Sequence, residues 1–392
     1  MTITDYTCPV CTGNDIFNVI TIKDVPVYCN VLYPTAEDAL DAPRGDIVLT
    51  YCRRCGHIFN SAHDSSKMNY SREYENSLHY SPRFQSYAAS LAKRLVETYD
   101  LRSKTVLEIG CGKGDFLNML CELGENSGIG FDPSYEVERF PAESQKRFSI
   151  IHDFYTEKYA KHSADLIVCR HVLEHIESPR PFLNMLRKSV GSNENTILFF
   201  EVPNVMFTLK DLGIWDLIYE HCGYFSIRSI SKLFRSCNFT PIEIEETFGG
   251  QYLCVEALAS NPARDAKMNE HDDDMIDYVN AFSNQYYRKV DRWREKLEEL
   301  NQSKKRIVIW GAGSKGVTFL NTLKTCDQIK YVADINPHKQ GKYIPGMGQK
   351  IVPLEFLKVY HPEIIVVMNP IYKEEIKLIA DGLDLSSDIV SA

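Results

Sequence analysis

The run VLEIGCGKGDF, Val106 to Phe116, decides how the rest of the chain is read. Thr105 to Ile109 has the signature of a short buried strand, and apolar residues return at helical spacing from Phe116 to Leu123. Between them Glu108, Gly110, Gly112 and Gly114 fall at every second position. Strand, glycine turn and helix start together make a nucleotide-binding loop, because only glycine lets the backbone approach a ligand so closely. The spacing differs from the dinucleotide pattern G-x-G-x-x-G. Twenty-four residues past Glu108, GIGFDPS places Asp132 and Pro133 at the end of a second strand, where a carboxylate can hold both ribose hydroxyls.

The E-x-G-x-G-x-G turn with its downstream acid resembles motif I of class I S-adenosylmethionine (SAM) methyltransferases, in which the glycines lie under the methionine part of the cofactor. Around it, VLEIG, GIGFD, FSIIH, ADLIVCR, ILFFEVP, TPIEIEETF and YLCVEAL read as strands separated by helices. This is the seven-stranded arrangement that the resemblance implies. Ligands of such sheets sit past the carboxyl ends of the strands. That edge offers Asp153 and Phe154 for an adenine, then Arg170 and His171, and His175 four residues on. The run H-V-L-E-H-I from His171 is frequent in SAM methyltransferases and lacks the H-E-x-x-H order of a zinc protease.

Composition bounds the partners. The 392 residues suffice for two or three domains, and 44% hydrophobic content supports a sizeable core. A net charge of −9 without a long basic run argues against a nucleic-acid footprint and for a small-molecule substrate. No apolar leader and no apolar run near 18 residues is present, so a cytoplasmic protein without a membrane partner is expected. The twelve cysteines are then expected as metal ligands or buried thiols.

Cys8-Pro-Val-Cys11 and Cys52-Arg-Arg-Cys55 form two C-x-x-C knuckles forty residues apart. Each knuckle presents two thiolates from a tight turn, and together they complete a tetrahedral structural Zn2+ site. His57 reads as a stray ligand or, in preference, as ordinary surface. Residues 1–68 are accordingly a zinc-binding domain, with an extended segment from Asp24, a short helix near Ala36–Leu40 and a strand over 46–51.

Residues 69–260 form the methyltransferase domain. Its first helix starts at Pro82, and Tyr74 and Tyr80 lie in a loop before it that could close over the cofactor. Asn204 follows the fifth strand, and Tyr219-Glu220-His221 places polar groups inside an apolar run. Buried ionisable groups cost free energy unless they have partners or a task, and a histidine can take a proton near neutral pH. Gly250 and Gln251 belong to a glycine turn between the last strands, where a ligand can approach closely.

Residues 261–305 read as a linker helix with an apolar stripe at Met275, Tyr278, Val279, Phe282, Tyr286, Val290, Trp293 and Leu297. Residues 306–392 then show a strand, Gly311-Ala-Gly313-Ser-Lys315-Gly316, a helix, and Asp334 after a second strand. This is G-x-G-x-x-G in a fitting context, but only one mononucleotide half is present, which disfavours NAD. The glycines either receive a sugar-nucleotide diphosphate at the helix N-terminus or only pack helix on strand. Ile344–Gly346 and Met368-Asn369-Pro370-Ile-Tyr372 follow later strands and are expected on the same edge.

The order of parts resembles one family as a whole: the three-domain SAM-dependent C-methyltransferases of nucleotide-linked deoxysugars. The resemblance implies an α/β protein with a class I methyltransferase Rossmann-like core, an N-terminal four-cysteine zinc domain and a C-terminal half-Rossmann domain. It implies that a nucleotide sugar binds between core and tail, and that His221 removes the proton beside a 4-keto group. Tyr219 and Glu220 would orient His221 or hold the sugar, and His175 matches a second polar position near the methyl group. Two departures stand out. Tyr219 adjoins Glu220 directly, where deoxysugar enzymes often have a residue between. The glycine turn reads Gly249-Gly250-Gln251-Tyr252, where G-G-S and a basic residue is usual. The alternatives are an O-methyltransferase of a hydroxylated metabolite and a non-catalytic SAM- or nucleotide-sugar-binding module.

Overall fold

The computed structural model describes residues 6–68, 74–135, 147–191, 193, 195–259, 275–325 and 328–392. The N-terminal part contains β1 (Ile16–Pro26), α1 (Ala36–Leu40), β2 (Arg44–Cys52) and β3 (Ile58–Asn60). The central part begins with α2 (Pro82–Thr98), β4 (Thr105–Ile109), α3 (Asp115–Gly124), β5 (Ser127–Phe131), β6 (Phe148–Ile151) and β7 (Leu166–Arg170). It continues through α4 (Pro179–Val190), β8 (Ile197–Pro203), α5 (Val205–Leu209), β9 (Gly223–Tyr224), α6 (Ile227–Ser236), β10 (Thr240–Thr247) and β11 (Tyr252–Leu258). The C-terminal part comprises α7 (Met275–Gln302), β12 (Ile307–Trp310), α8 (Ser314–Leu323), β13 (Tyr331–Ala333), β14 (Lys350–Val352), α9 (Leu357–Tyr360), β15 (Ile364–Val367), α10 (Lys373–Gly382) and β16 (Asp388–Ser391).

The central sheet has the order β10-β11-β8-β7-β4-β5-β6. β4 lies between β5 and β7 and is parallel to both, so the strand order reverses at its tip. β11 runs antiparallel to β8 and to β10. This order, parallel except for one inserted strand, is that of a class I methyltransferase. Its crevice opens past the carboxyl ends of β4 and β7, where a reversal of strand order leaves the flanking helices on opposite faces.

The N-terminal sheet has the order β1-β2-β3-β9. Its last strand, Gly223–Tyr224, comes from the central part, so the segment after His221 is pinned to β3. β1 begins well before the extended segment expected from Asp24, and β3 was not expected. His57 is wholly buried between Phe59 and Phe225 rather than on the surface. Burial holds its ring neutral, with the pKa pushed down to about 3.

The tail sheet, β14-β13-β12-β15-β16, is parallel throughout. α7 joins the parts. Met275, Val279, Phe282, Tyr286, Val290, Trp293 and Leu297 are buried in a core shared with Ile47 and Leu49 of β2 and with Ile307 and Ile309 of β12. Each such side chain contributes about 1.5–3 kcal/mol by leaving water. The expected stripe is therefore present; residues 262–274 of the linker lie outside the described residues. Ile344 to Gly346 do not reach the strand tips. The Gly346 N–H donates to Ala39 and its carbonyl accepts from Arg44 at 2.7 Å, so this turn docks on the N-terminal part.

Candidate active site

β4 delivers its glycine turn to the central crevice with Gly110, Gly112 and Gly114 all at positive φ. At Gly110 a Cβ would fall 2.1 Å from Val172 Cγ2, so this position requires glycine on two counts. The Asp132 carboxylate closes the turn. Its Oδ2 accepts from the Gly112 N–H at 2.8 Å, and its Oδ1 from the Ser134 N–H and hydroxyl at 2.7 and 2.6 Å. α3 starts at Gly114 without a side-chain cap, leaving its first N–H groups to a ligand.

A cavity of about 350 Å3 lies against this turn, lined by Glu108, Gly110, Gly112, Asp132, Pro133, Asp153, Phe154, Arg170 and His171. Gly114 of the expected set is not on its wall. Burial pushes the Glu108 carboxyl up to about 8, against the pull of Arg170. Arg170 stacks over Phe116 at 4.1 Å and pairs with Glu201 at 2.5 Å. Glu201 also accepts from the Tyr87 hydroxyl at 2.6 Å. Burial opposes ionisation of Glu201, yet Arg170 overcomes it and holds the carboxyl below its ordinary value. Arg170 is thus neutralised before any ligand arrives.

A second cavity, of about 290 Å3, lies between the central part and the tail. Its walls include His175, His221, Gln251, Gly313, Lys315, Asp334 and Asn369, together with Tyr80. Tyr74, the segment 76–78, His171 and His175 line both cavities, so the two spaces share one wall. His171 holds a positive φ of 54° there, a strained conformation for a non-glycine residue at a functional boundary. Its ring nitrogens lie 3.7 Å from Glu174 and 3.7 Å from Glu201, beyond hydrogen-bond reach.

His221 and His175 meet edge-on with ring centres 4.9 Å apart. His175 Nδ1 lies 2.9 Å from the Glu220 carbonyl oxygen. Burial first, then the neighbouring His175, pushes the His221 imidazole well below its ordinary value, so it is neutral at pH 7. The Glu220 side chain lines neither cavity; its carboxylate accepts from the Cys29 N–H at 2.9 Å. Burial raises its pKa, and this acid braces the His221 turn from behind.

Three expected contacts are corrected. Tyr219 is fully buried and turned away from both cavities. Its ring fills the space that Gly45 leaves by lacking a Cβ and stacks on His63, and its hydroxyl accepts from the Asp64 N–H at 2.9 Å. Asn204 is also structural. It caps α5 through Met206 N–H and donates to Glu246 at 3.1 Å and to the Gly250 carbonyl at 3.0 Å. Gly250 stays in its turn, at φ 81°, off the cavity wall. Gln251 does reach the cavity, where its amide pairs reciprocally with Asn369 at 3.0 and 2.8 Å.

The tail turn repeats the β4 turn. Asp334 Oδ2 accepts from the Ala312 N–H at 2.7 Å and Oδ1 from the Asn336 N–H at 2.8 Å. α8 begins at Gly313 without a side-chain cap. Lys315 pairs across the cavity with Asp216 of the central part. Lys339 lies buried beside the turn, its Nζ 3.2 Å from the Ala312 carbonyl. Neither Lys339 nor Asp216 was expected. The available signal was position: Lys339 follows the carboxyl end of β13 by a few residues, as Asp132 follows β5.

The four cysteines of the knuckles come together in the N-terminal part. Cys8 and Cys55 lie 3.5 Å apart, as do Cys11 and Cys52, and all four are buried. Sulfurs around a zinc ion sit ~3.8 Å apart, given Zn–S bonds of about 2.3 Å. The donor set and spacing therefore fit Zn2+.

Comparison with known proteins agrees with this geometry. Residues 80–244 match a family described as a methyltransferase domain, and residues 258–381 match one described as a C-methyltransferase C-terminal domain. The chain is 23% identical to the C-methyltransferase NovU of Streptomyces niveus, over 94% of this chain and 90% of that protein. A shorter stretch, 24% of the chain, is 31% identical to the mitochondrial ubiquinone biosynthesis O-methyltransferase of Schizosaccharomyces pombe, over 37% of its length. Among solved structures, the SAH-bound magnesium protoporphyrin IX methyltransferase of Synechocystis PCC 6803 aligns with a TM-score of 0.35 and 18% identity, over 45% of this chain and 84% of that one. Fold, glycine turn and domain matches define a SAM-dependent methyltransferase. More narrowly, the chain pairs a methyltransferase domain with a C-methyltransferase C-terminal domain, as its two domain matches are described.

Proposed function

We propose that this enzyme transfers the methyl group of SAM to a carbon of a nucleotide-linked keto-deoxysugar, with His221 as general base. The observation that carries the reading is the shared wall. A donor cavity with a SAM-type turn and an acceptor cavity with a second nucleotide-type turn meet where two imidazoles stand together. The relative named a C-methyltransferase spans nearly the whole chain, tail included, and supports the same reading.

A carbon is a poor nucleophile until a neighbouring carbonyl allows a proton to leave. The base must sit beside that C–H bond and be unprotonated when substrate arrives. His221 meets both needs, being neutral and at the cavity wall. The Glu220 carbonyl accepts from His175 Nδ1–H and so orients the ring, leaving Nε2 beside His221 able to accept from a hydroxyl of the sugar. Bound SAM would supply an electrophilic methyl group to that carbon, and the shared wall formed by Tyr74, residues 76–78, His171 and His175 would position the two partners. In the donor cavity Glu108 faces the methionyl ammonium, Asp132 the ribose, and Asp153 with Phe154 the adenine. In the acceptor cavity Lys315, Lys339 and the α8 N-terminus receive the diphosphate. Gln251 and Asn369 hold the sugar end.

The four cysteines hold one structural Zn2+ that fastens the knuckles, and none of their sulfurs takes part in transfer. The parts act as 1–68 zinc-binding, 69–260 methyltransferase, 261–305 linker and 306–392 acceptor-binding units. The test is a panel of sugar nucleotides incubated with SAM and read by mass spectrometry. A product heavier by one methyl on a keto-deoxysugar carbon is expected. Methylation of oxygen alone would replace C- by O-transfer, with His221 deprotonating a hydroxyl.

A further inference from the structure

We propose that Glu174, His175 and His221 form a binding site for one divalent transition-metal ion, distinct from the four cysteines, and that its occupancy excludes the base chemistry of His221. One ligand atom from each of the three groups lies within 4.8 Å of the others, and all three residues line the acceptor cavity. Metal–ligand bonds of about 2.1 Å hold donors ~3.4 Å apart, so the groups need to draw in by about an ångström. Glu174 and His175 are neighbours on one helical turn, and the Cys222 N–H donates to the Glu174 carbonyl at 2.9 Å. The His221 turn is thereby already tied to the Glu174 turn.

The state of each donor suits a cation. Glu174 is 1% exposed, and its Oε2 finds no hydrogen-bond partner among the described residues. A buried carboxylate oxygen in that state is costly, and a cation removes the cost. His221 Nδ1 is likewise buried without a partner. The Glu220 carbonyl beside His175 Nδ1 can only accept, so that nitrogen carries the hydrogen and Nε2 keeps its lone pair. An imidazole whose far nitrogen is fixed by a carbonyl is the usual partner arrangement of a metal ligand.

Two imidazoles and one carboxylate suit Mn2+, Fe2+, Co2+ or Zn2+, whereas Ca2+ and Mg2+ prefer all-oxygen sites. The remaining coordination positions open on the acceptor cavity, where solvent or a substrate oxygen completes the shell. A bound ion occupies the lone pair that His221 needs to accept a proton. The site itself stands on geometry alone; the inhibition rests on the reading of His221 as base.

The probe is Mn2+, which binds thiolate sites poorly and leaves the four cysteines alone. Full-length protein is titrated with Mn2+ and free ion is counted by electron paramagnetic resonance. Wild type is expected to take up one Mn2+ per chain. Glu174→Gln, which keeps shape and removes charge, weakens uptake at least tenfold while SAM affinity stays unchanged. Mn2+ inhibits wild-type turnover over the concentration range of its binding, and Glu174→Gln resists that inhibition. Should the variant fold poorly, Co2+ added to zinc-loaded wild type reads the same site, as weak visible bands without thiolate charge transfer. No stoichiometric uptake in wild type, or equal uptake in Glu174→Gln, overturns the site whatever His221 does. Activation by Mn2+ overturns the exclusion. Turnover surviving in His221→Asn overturns the base reading whatever Mn2+ does.

Discussion

Two glycine turns in this molecule are built alike and carry different side chains. At the tip of β4, Asp132 ties Gly112 and Ser134; at the tip of β12, Asp334 ties Ala312 and Asn336, with nearly equal distances. Both release a helix with no side-chain cap. Around the first stand Glu108, Asp132 and Asp153, while its Arg170 is already neutralised by Glu201. Around the second stand the buried Lys339 and Lys315, itself paired with Asp216, with Glu174 and Glu375 also on the wall. A shared backbone device thus leaves ligand choice to the side chains placed on it. Under the proposed function the first turn serves SAM, and the second, with Lys315, Lys339 and the α8 N-terminus, serves the acceptor.

That contrast can be broken most sharply where the two spaces meet. His221→Asn is expected to lower turnover by about 10²–10⁴-fold, with SAM affinity within about twofold of wild type by calorimetry. The two acids come next. Asp132→Ala leaves two buried N–H groups unpaired and is expected to weaken SAM binding about tenfold or more. Asp334→Ala should leave SAM binding unchanged and raise the acceptor KM by a similar factor. Equal effects of both changes on SAM would end the division of labour. Lys339→Met should raise the acceptor KM about tenfold, the worth of one charge-assisted hydrogen bond, without touching kcat.

The smallest effect is one of pH. Burial keeps Glu108 protonated up to about 8 in the free enzyme, and under the proposed function it faces the SAM ammonium as a carboxylate. Binding below pH 8 must then release a proton, so SAM affinity rises from pH 6 to pH 8 and levels off above it. Glu108→Gln should flatten that profile.

Features encoded over a few adjacent residues were legible in the sequence. The β4 turn, the two C-x-x-C knuckles and the α7 stripe each follow from local spacing, and the structure shows all three. Features that depend on distant partners were not. Tyr219 adjoins Glu220 and His221, yet successive side chains on a turn point apart, and its slot is made by Gly45 of β2. Asn204 and Gly250 resemble ligand groups until their partners, Glu246 and each other, are in place. Most of β1 eluded reading because it is largely exposed on one side and paired only with β2. Lys339 gained its meaning from Ala312, twenty-seven positions away.

Hydrogen exchange at the acceptor carbon tests the central claim most directly. Wild-type enzyme is incubated with nucleotide-linked 4-keto-deoxysugars in D2O without SAM, and the proton beside the keto group is followed by NMR. Enzyme-dependent replacement of that proton by deuterium, lost in His221→Asn, is the predicted result. Methylated product formed with no exchange at that carbon, or exchange undiminished in His221→Asn, would contradict it.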